Sequence, residues 1–340
     1  MVNFSRSHQM FQLLLGIGFA TGLAFLSVTN GTGAWNYALS NQEGQATINV
    51  ENYDGDGKKE LLTYPLPPQR ILVTYPGATE LLIALGLSDK IVGTVSPYGL
   101  EPDKLSRIYA SLPTVSAPFV PSREEALALK PDLIMGWNHH FQPNALGSID
   151  QWYSRGVATY VVPATIRQGH PTIESTLYPF LKDAGQIFGV EGEVASYQAE
   201  LESRIHQVVS GAQNQKYHPQ VMVLQTYGNS TYTLYGQEYV VYDIVQKAGG
   251  RMINSKQLNG IGPERVLAFD PDYIVLVVAG KTEEDLSKAF ESLKNDSHLS
   301  TLRAVRDGHV IPVDFSEVNN GNGRMVDALE KIYRGFYPSS

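Results

Sequence analysis

Aromatic rings and a few polar side chains gather in the short segments that follow the predicted strands. In parallel α/β sheets ligands bind outside the carboxyl ends of the strands, so these segments are the candidate binding loops. Rings with a few polar neighbours suit a flat or bulky apolar ligand. The candidate residues are Tyr75, Tyr98, Trp137, His139, His140 and Thr165 in the first half of the chain, and Tyr227, Tyr232, Tyr235, Tyr239, Phe315 and Arg324 in the second half.

The adjacent histidines His139 and His140 raise the question of a metal. Neighbouring histidines point in different directions and rarely chelate one metal together, and a zinc or manganese site needs several converging His and carboxylate ligands. His170 and His309 match no ligand spacing. The sequence therefore predicts no metal bound directly by the protein, and it leaves open that His139 or His140 ligates a haem iron, together with a tyrosine from the second half.

Catalytic signatures are missing from the sequence. It contains no Gly-x-Ser-x-Gly, no phosphate-binding loop, no His-Glu-x-x-His and no cysteine nucleophile. We therefore expect a binding protein rather than an enzyme. Turnover of a bound ligand with release of product would contradict this expectation.

A repeated stretch indicates how the candidate residues are positioned. Six residues return after 140 positions: Glu124, Leu127, Ala128, Pro131, Asp132 and Ile134 become Glu264, Leu267, Ala268, Pro271, Asp272 and Ile274. Solenoid repeats have periods of about 20 to 50 residues, so this longer offset predicts two similar lobes instead.

Each copy of the repeat reads as a short helix followed by a central strand. In the first copy Ser122 and Glu125 have the spacing of a capping box, and we expect Leu127 to face the core. Pro131 ends the helix, and the apolar run 133–135 is typical of a buried strand. The second copy begins with Gly262 before a proline at the first helical position.

Strands and helices alternate through both halves, which is typical of parallel βα units. Between the halves, residues 193–209 form a proline-free helical pattern that is long enough to span a small domain. We therefore expect an α/β fold with two lobes, each a mainly parallel sheet flanked by helices, joined by one long backbone helix. The predicted segments are a signal peptide or N-terminal anchor (1–34), an N-terminal extension with a hairpin (35–66), an N-terminal lobe (67–190), a linker helix (191–215) and a C-terminal lobe (216–340).

The N-terminal segment has the layout of an export signal. Arg6 and His8 precede the apolar stretch 11–28, and small residues continue to Ala34. Cleavage after Ala34 and an uncleaved anchor are both compatible with an apolar length of about 18 residues. Because the chain has no cysteine, disulfides and a cysteine-linked lipid are excluded. We expect an exported protein, either periplasmic or extracytoplasmic with an N-terminal anchor.

Two further features narrow the class of protein. The net charge of −8 argues against nucleic acid or an anionic membrane surface as the main partner. Residues 48–63 alternate around Asp54 to Gly57, which predicts a hairpin. Asp54 and Asp56 also resemble the start of a calcium loop, but Pro65 replaces the glutamate that such a loop requires, so calcium is not expected.

Five segments, in this order, resemble the iron-siderophore and vitamin B12 substrate-binding proteins of ABC importers. They are Pro-Gln-Arg-Ile-Leu-Val (68–73), Ala-Thr-Glu-Leu-Leu-Ile-Ala-Leu-Gly (78–86), Ile-Val-Gly-Thr (91–94), Glu-Ala-Leu-Ala-Leu-Lys-Pro-Asp-Leu-Ile (125–134) and Asp-Gly-His-Val-Ile-Pro-Val-Asp (307–314). The resemblance covers residues 64–338. It implies a two-lobed fold with cargo held in the cleft, and one glutamate on each lobe that docks onto arginines of the membrane permease. These glutamates fall on Glu124 and Glu264.

The function implied by the resemblance is capture of a ferric siderophore in the cleft and its delivery to a permease. Iron would belong to the cargo, so no cofactor is expected, and Arg324 would meet negative groups of the siderophore. A haem or cobalamin receptor of the same family and a membrane-tethered ligand sensor remain alternatives. We expect a monomer whose lobes close only slightly, because a helical connector does not absorb large backbone rotations. The chain departs from the family in its lack of a lipid-anchoring cysteine and in the Asn- and Gly-rich segment 320–324, which leaves the usual aromatic contact there open.

Overall fold

Two sheets form the centres of two lobes, and helices cover their faces. The computed structural model describes residues 46–99, 103–116, 120–166, 169–226, 231–280 and 282–338. The predicted export segment 1–34 and Tyr227 lie outside the described residues. Within the ranges just given, no helix is both long enough and apolar enough to cross a membrane.

The elements follow one another as strand and helix through most of the chain. The strands are β1 (Thr47–Tyr53), β2 (Lys59–Pro65), β3 (Ile71–Val73), β4 (Ile91–Thr94), β5 (Leu133–Gly136), β6 (Ala158–Val161), β7 (Gln220–Thr226), β8 (Tyr232–Leu234), β9 (Arg251–Met252), β10 (Leu258–Ile261), β11 (Tyr273–Val278) and β12 (Val310–Asp314). The α-helices are α1 (Pro76–Ala84), α2 (Asp103–Ser111), α3 (Arg123–Ala128), α4 (Ile149–Tyr153), α5 (Ile173–Phe188), α6 (Glu191–Gln213), α7 (Val240–Lys247), α8 (Pro263–Leu267), α9 (Glu283–Asn295), α10 (Arg303–Arg306), α11 (Phe315–Asn319) and α12 (Arg324–Phe336). Short 3₁₀ turns lie at Ser88–Lys90, Asn138–Phe141, Pro163–Thr165 and Leu299–Thr301.

The first lobe contains a parallel sheet in the order β4-β3-β5-β6. All four residues of β5 are buried, as expected for a parallel strand with helices on both faces. The hairpin β1–β2 lies against the edge strand of this sheet. Nδ2 of Asn52 donates to the carbonyl of Val161 in β6 (3.0 Å), and the backbone amide of Val161 donates to Oδ1 of Asn52 (2.8 Å). The hairpin therefore covers an edge that would otherwise be open.

The second lobe contains a mixed sheet in the order β10-β8-β7-β11-β12, with β9 beside the start of β7. The contacts of β7 with β11 and of β11 with β12 are parallel, whereas β8 pairs antiparallel with both β7 and β10. Alternate residues of β7 face two different apolar clusters: Val221 and Val223 face a cluster that continues into the first lobe, and Met222 and Leu224 face the outer helices. The α/β architecture with two mainly parallel sheets is confirmed.

The long helix α6 connects the lobes and packs along the last helix, α12. Leu201, Ile205 and Val208 form its buried face. Arg204 also ties the two helices together, because its guanidinium donates to Asp327 (2.5 Å) and Glu330 (2.8 Å) of α12. The connector is therefore a helix braced along its length.

The repeated Pro-Asp pair has a structural role in both lobes. Asp132 accepts hydrogen bonds from the backbone amides of Gln69 (2.7 Å) and Arg70 (2.9 Å) just before β3. In the second lobe Asp272 accepts from the amide of Gln220 (2.8 Å) at the start of β7. Each aspartate thus ties the beginning of its own strand to that of the neighbouring strand.

Two local expectations about the first repeat copy are wrong. Ser122 caps α3 by accepting from the Glu125 amide (3.1 Å), but the Glu125 carboxylate accepts from the amide and hydroxyl of Ser116 (2.9 and 3.1 Å) rather than completing a capping box. Leu127 does not face the core; 43% of it is exposed. Ala126 is the one buried residue of α3, so most of this short helix lies at the surface.

Candidate functional site

A narrow cavity lies between the two lobes. Its volume is about 50 Å³, and it is lined by Trp137, Pro163, Ala164, Ile166, Pro171, Thr176, Glu238, Tyr239, Val240, Val318, Asn319 and Gly321. Ligand sites usually measure about 300–1,000 Å³. The lobes are therefore nearly closed, and a bulky ligand enters this cavity only if they separate.

A wider pocket opens beside this cavity, on the first lobe. Its volume is about 460 Å³, and its lining consists of Asp56, Gly57, Trp137, Asn138, His139, Thr165 and Ile166. Trp137 and Ile166 line both spaces, so the outer pocket and the inner cavity adjoin. Asp56 and Gly57 belong to the turn of the N-terminal hairpin and are not among the binding residues predicted from the sequence.

Aromatic rings meet where the lobes touch. Tyr75 is fully buried, and its hydroxyl donates to the carbonyl of Asn319 on the second lobe (2.6 Å). Its ring makes edge contacts with Trp137 and Tyr98 at centroid distances of 5.1 and 6.3 Å, and Tyr98 contacts Phe315 at 6.5 Å. Burial raises the pKa of Tyr75 far above its ordinary value, so the hydroxyl remains a donor. The structure thus brings these four candidate rings together.

The two adjacent histidines have different environments. His139 is half-buried and lines the outer pocket, and its partial burial lowers its pKa. His140 is buried in the first lobe, with Nδ1 at 2.9 Å from the Thr74 hydroxyl. Burial, and then the neighbouring His139, lower the pKa of His140 to about 3. The prediction that His140 contacts the ligand or a haem iron does not fit this placement, whereas His139 lies at the pocket.

The remaining candidates divide between the cleft and the interior. Tyr239 lines the inner cavity and contacts Tyr235 (4.8 Å between centroids), whose hydroxyl donates to Gln225 (2.7 Å). Thr165 lines the outer pocket, but its hydroxyl donates to the carbonyl of Val162 (2.7 Å). Tyr232 was wrongly expected in a binding loop. It begins β8, packs against the outer apolar cluster, and donates to Asp296 (2.9 Å).

Arg324 does not offer its charge to the cleft. It is buried, its Nη1 donates to the hydroxyl of Ser316, and the same atom lies 3.8 Å from Oε1 of Glu80 on α1 of the first lobe. The expectation that Arg324 meets negative groups of a ligand is therefore wrong, because a carboxylate of the protein already balances its charge.

Glu80 is the centre of a polar contact between the lobes, which we call the interlobe latch (Tyr75, Gly77 and Glu80 with 319–324). Its carboxylate accepts from the side-chain amides of Asn320 (2.8 Å) and Asn322 (2.6 Å). The backbones approach closely here, since a Cβ at Gly77 would collide with the Asn320 carbonyl. A glutamate within the mainly apolar sequence 78–86 was the available signal for such a buried partner.

The charged groups at the two cavities are acidic. Asp56 lines the outer pocket and Glu238 lines the inner cavity. Among the described residues, no lysine or arginine lines either space. The same part of the chain contains no group of three or more His, Cys, Asp or Glu side chains that could hold a metal.

The two repeated glutamates lie on the surface. Glu124 begins α3 and Glu264 begins α8, each in the first turn and each exposed. Neither carboxylate has a hydrogen-bond or ion-pair partner within the described ranges. Leu127 is exposed one turn after Glu124.

Residues 71–316 match the sequence profile of the family described as periplasmic binding protein. A relative, the uncharacterized ABC transporter substrate-binding lipoprotein YvrC of Bacillus subtilis, is 22% identical over 291 residues, which cover 84% of this chain and 85% of that protein. The high-affinity heme uptake system protein IsdE of Staphylococcus aureus is 24% identical over 254 residues, 73% of this chain and 80% of that protein. Among solved structures, a periplasmic binding protein from Veillonella parvula aligns with a TM-score of 0.74 at 22% identity, covering 87% of this chain and 99% of that one.

These similarities agree with the geometry. The relatives are substrate-binding proteins rather than enzymes, as the lack of catalytic motifs predicted. The family match covers more than half of the chain, from β3 of the first lobe to α11 of the second. The chain belongs to the periplasmic binding protein family, whose members include substrate-binding proteins of ABC transporters.

Proposed function

We propose that this protein captures a ferric siderophore whose iron complex has no net negative charge, a ferric hydroxamate, and delivers it to an ABC permease. Iron is carried as part of this cargo. The protein acts outside the cytoplasm as a monomer, with its N-terminal segment either cleaved or kept as an anchor, and the mass of the mature protein distinguishes these two forms.

The observation that carries the proposal is the lining of the cleft. Trp137, Ile166 and Tyr239 offer apolar and aromatic surface, while Asp56 and Glu238 are the charged residues. Hydroxamate groups balance the charge of the ferric ion, whereas catecholate groups leave a strongly negative complex. A negative complex would meet like charges without a described basic partner, which opposes binding.

Transport follows from the near-closed geometry. Cargo enters through the outer pocket, the lobes separate at the interlobe latch to admit it, and they close again about α6. The movement is small, since α6 is braced against α12 by Arg204. The closed protein then presents Glu124 and Glu264 to the permease at a fixed separation.

Haem is the second candidate, and His139 favours it. Its imidazole lies in the outer pocket, and its lowered pKa keeps it unprotonated, as an iron ligand must be. The IsdE relative is named for heme uptake. Haem ranks second because no lysine or arginine among the described lining residues is available to bind its propionates.

The test is a binding panel. The protein is titrated with a ferric hydroxamate, a ferric catecholate, haem and cobalamin, and native mass, the visible spectrum and tryptophan fluorescence are recorded. We expect a one-to-one complex with the hydroxamate and a quench that is reduced in Trp137→Phe.

Tighter binding of the ferric catecholate would contradict the charge argument. A Soret shift that is lost in His139→Ala would replace the proposal with haem capture, and binding of cobalamin alone would identify a corrinoid receptor. If none of these chelates bound, capture of a chelate would be refuted, and the hypothesis of a membrane-tethered ligand sensor would be favoured instead.

A further inference from the structure

We infer that the turn of the N-terminal hairpin is part of the binding site and that Asp56, together with the ring of Trp137, recognises a protonated amine on the captured chelate. This inference rests on the proposed function, because it assigns one end of the cargo to the outer pocket.

The turn is built to hold Asp56 in place. Oδ1 of Asp54 accepts from the backbone amides of Asp56 (2.9 Å) and Lys58 (2.8 Å), and the Gly57 amide donates to the Asp54 carbonyl (3.0 Å). These bonds close the turn without any ligand. The carboxylate of Asp54 is thereby used within the hairpin, and that of Asp56 is left to the pocket.

A side chain of the first lobe orients Asp56. The side-chain amide nitrogen Nε2 of Gln142 donates both to the carbonyl of Gly55 (2.7 Å) and to Oδ1 of Asp56 (2.8 Å). Within the described ranges, Oδ2 of Asp56 has no protein donor. One oxygen is therefore fixed, and the other is available to a ligand.

The turn is a fixed wall of the pocket. A Cβ at Gly55 would collide with the Phe141 carbonyl, so the turn is pressed against the lobe. Gly57 lies beside Ile166, which lines both the outer pocket and the inner cavity. Farther along the hairpin, Asn52 is bonded to β6. Removing the turn from the site would break all of these contacts.

Charge and ring chemistry favour a cationic ligand here. Asp56 is the charged group among the described lining residues of the outer pocket, and His139 is the titratable neighbour. Lys58 and Lys59 follow directly in the chain, but they pair with Glu60 (2.5 Å) and Glu51 (2.7 Å). A carboxylate beside an aromatic ring binds ammonium groups by charge and by cation–π attraction. No described group of three acidic or histidine ligands is present to bind a metal ion instead.

The experiment compares two forms of one cargo. Ferrioxamine B is a linear ferric trihydroxamate that ends in a protonated amine, and its N-acetylated form lacks that charge. Dissociation constants for both are measured by fluorescence titration with the wild type and with Asp56→Asn. The asparagine retains Oδ1 as the acceptor for Gln142, so the turn is expected to fold, and an unchanged melting temperature checks this.

Two further variants make the comparison specific. Asp89→Asn removes one exposed charge from the first lobe outside both cavities, so it controls for long-range electrostatics. Gln142→Ala releases Asp56 while keeping its charge. We expect the wild type to prefer the amine form about threefold, as an ion pair with an exposed carboxylate supplies. Asp56→Asn should abolish the preference, Gln142→Ala should reduce it, and Asp89→Asn should leave it unchanged.

The outcomes separate this inference from the proposed function. Equal binding of both forms by the wild type would overturn the amine site and leave hydroxamate capture standing. A preference that survives in Asp56→Asn, or that is lost equally in Asp89→Asn, would overturn the role of Asp56. Failure of both forms to bind would instead refute hydroxamate capture.

Discussion

The interlobe latch predicts that Glu80→Gln weakens the closed state far more than an ordinary surface substitution would. Glu80 is 5% exposed, and both of its carboxylate oxygens accept from asparagine amides of the second lobe. A glutamine keeps one acceptor and replaces the other with a donor. That donor would face the NH₂ group of Asn320 or Asn322, and the ion pair between Glu80 and Arg324 would be lost.

The magnitude follows from these contacts. A hydrogen bond to a charged group contributes about 1.5–3 kcal/mol, and Glu80→Gln removes one of the two. Arg324 is buried and lies 3.8 Å from Glu80, and weakening this ion pair brings the total to about 3–5 kcal/mol. Because the contact joins the lobes, we expect the loss to appear partly as opening and partly as a lower free energy of unfolding.

Two measurements test this prediction. Urea unfolding gives the change in free energy, and small-angle X-ray scattering without cargo gives the radius of gyration, which should increase. Glu125→Gln is the matched control, because Glu125 is a less buried glutamate whose carboxylate also accepts from two donor groups, the amide and the hydroxyl of Ser116, but within one lobe. A loss below about 1 kcal/mol, with an unchanged radius, would refute the idea that the latch holds the lobes together.

Two other predictions concern pH and docking. Burial raises the pKa of Asp183 from 3.8 to about 6, so the folded state binds the carboxyl proton more tightly than the unfolded state does. The contribution of this proton to the free energy of unfolding is present below about pH 4 and is lost as the pH rises through 6. Asp183→Asn keeps an acceptor for the Tyr160 hydroxyl (2.8 Å). In urea unfolding, its free energy of unfolding should equal that of the wild type near pH 4 and should be higher by about 3 kcal/mol at pH 7. If the two free energies changed with pH in parallel, the raised pKa would be contradicted. Combined Glu124→Ala and Glu264→Ala substitutions should leave cargo affinity intact and abolish uptake by cells that carry the permease, whereas lost affinity with uptake retained would contradict docking by these residues.

The sheets were predictable because their signals are local. The Pro-Asp turn and the apolar run after it occur twice in the sequence, and they specify β5 and β11, each of which lies inside its sheet between two neighbouring strands. The antiparallel strands β8 and β10 were not predicted. Tyr232 was assigned to a loop because a three-residue strand leaves almost no periodicity, and only its pairing with β7 and β10 defines it.

The site was less predictable because burial depends on distant partners. Arg324 reads as a free cation in the sequence, yet its counter-charge is Glu80 on the other lobe. His139 and His140 are neighbours, but the 3₁₀ turn Asn138–Phe141 directs one to the pocket and the other to Thr74. Asp56 contributes to the pocket because the hairpin packs against the lobe, and nothing in the hairpin sequence specifies that contact.

The apolar interior does not divide at the boundary between the lobes. One continuous cluster of buried side chains extends from Val50 in the hairpin to Phe336 in the last helix. A fragment that contained one lobe alone would expose its share of this surface to water, and exposed apolar area of that kind promotes aggregation. We therefore expect the protein to unfold as one cooperative unit, and we expect a fragment that contains only one of the two sheets to be unstable.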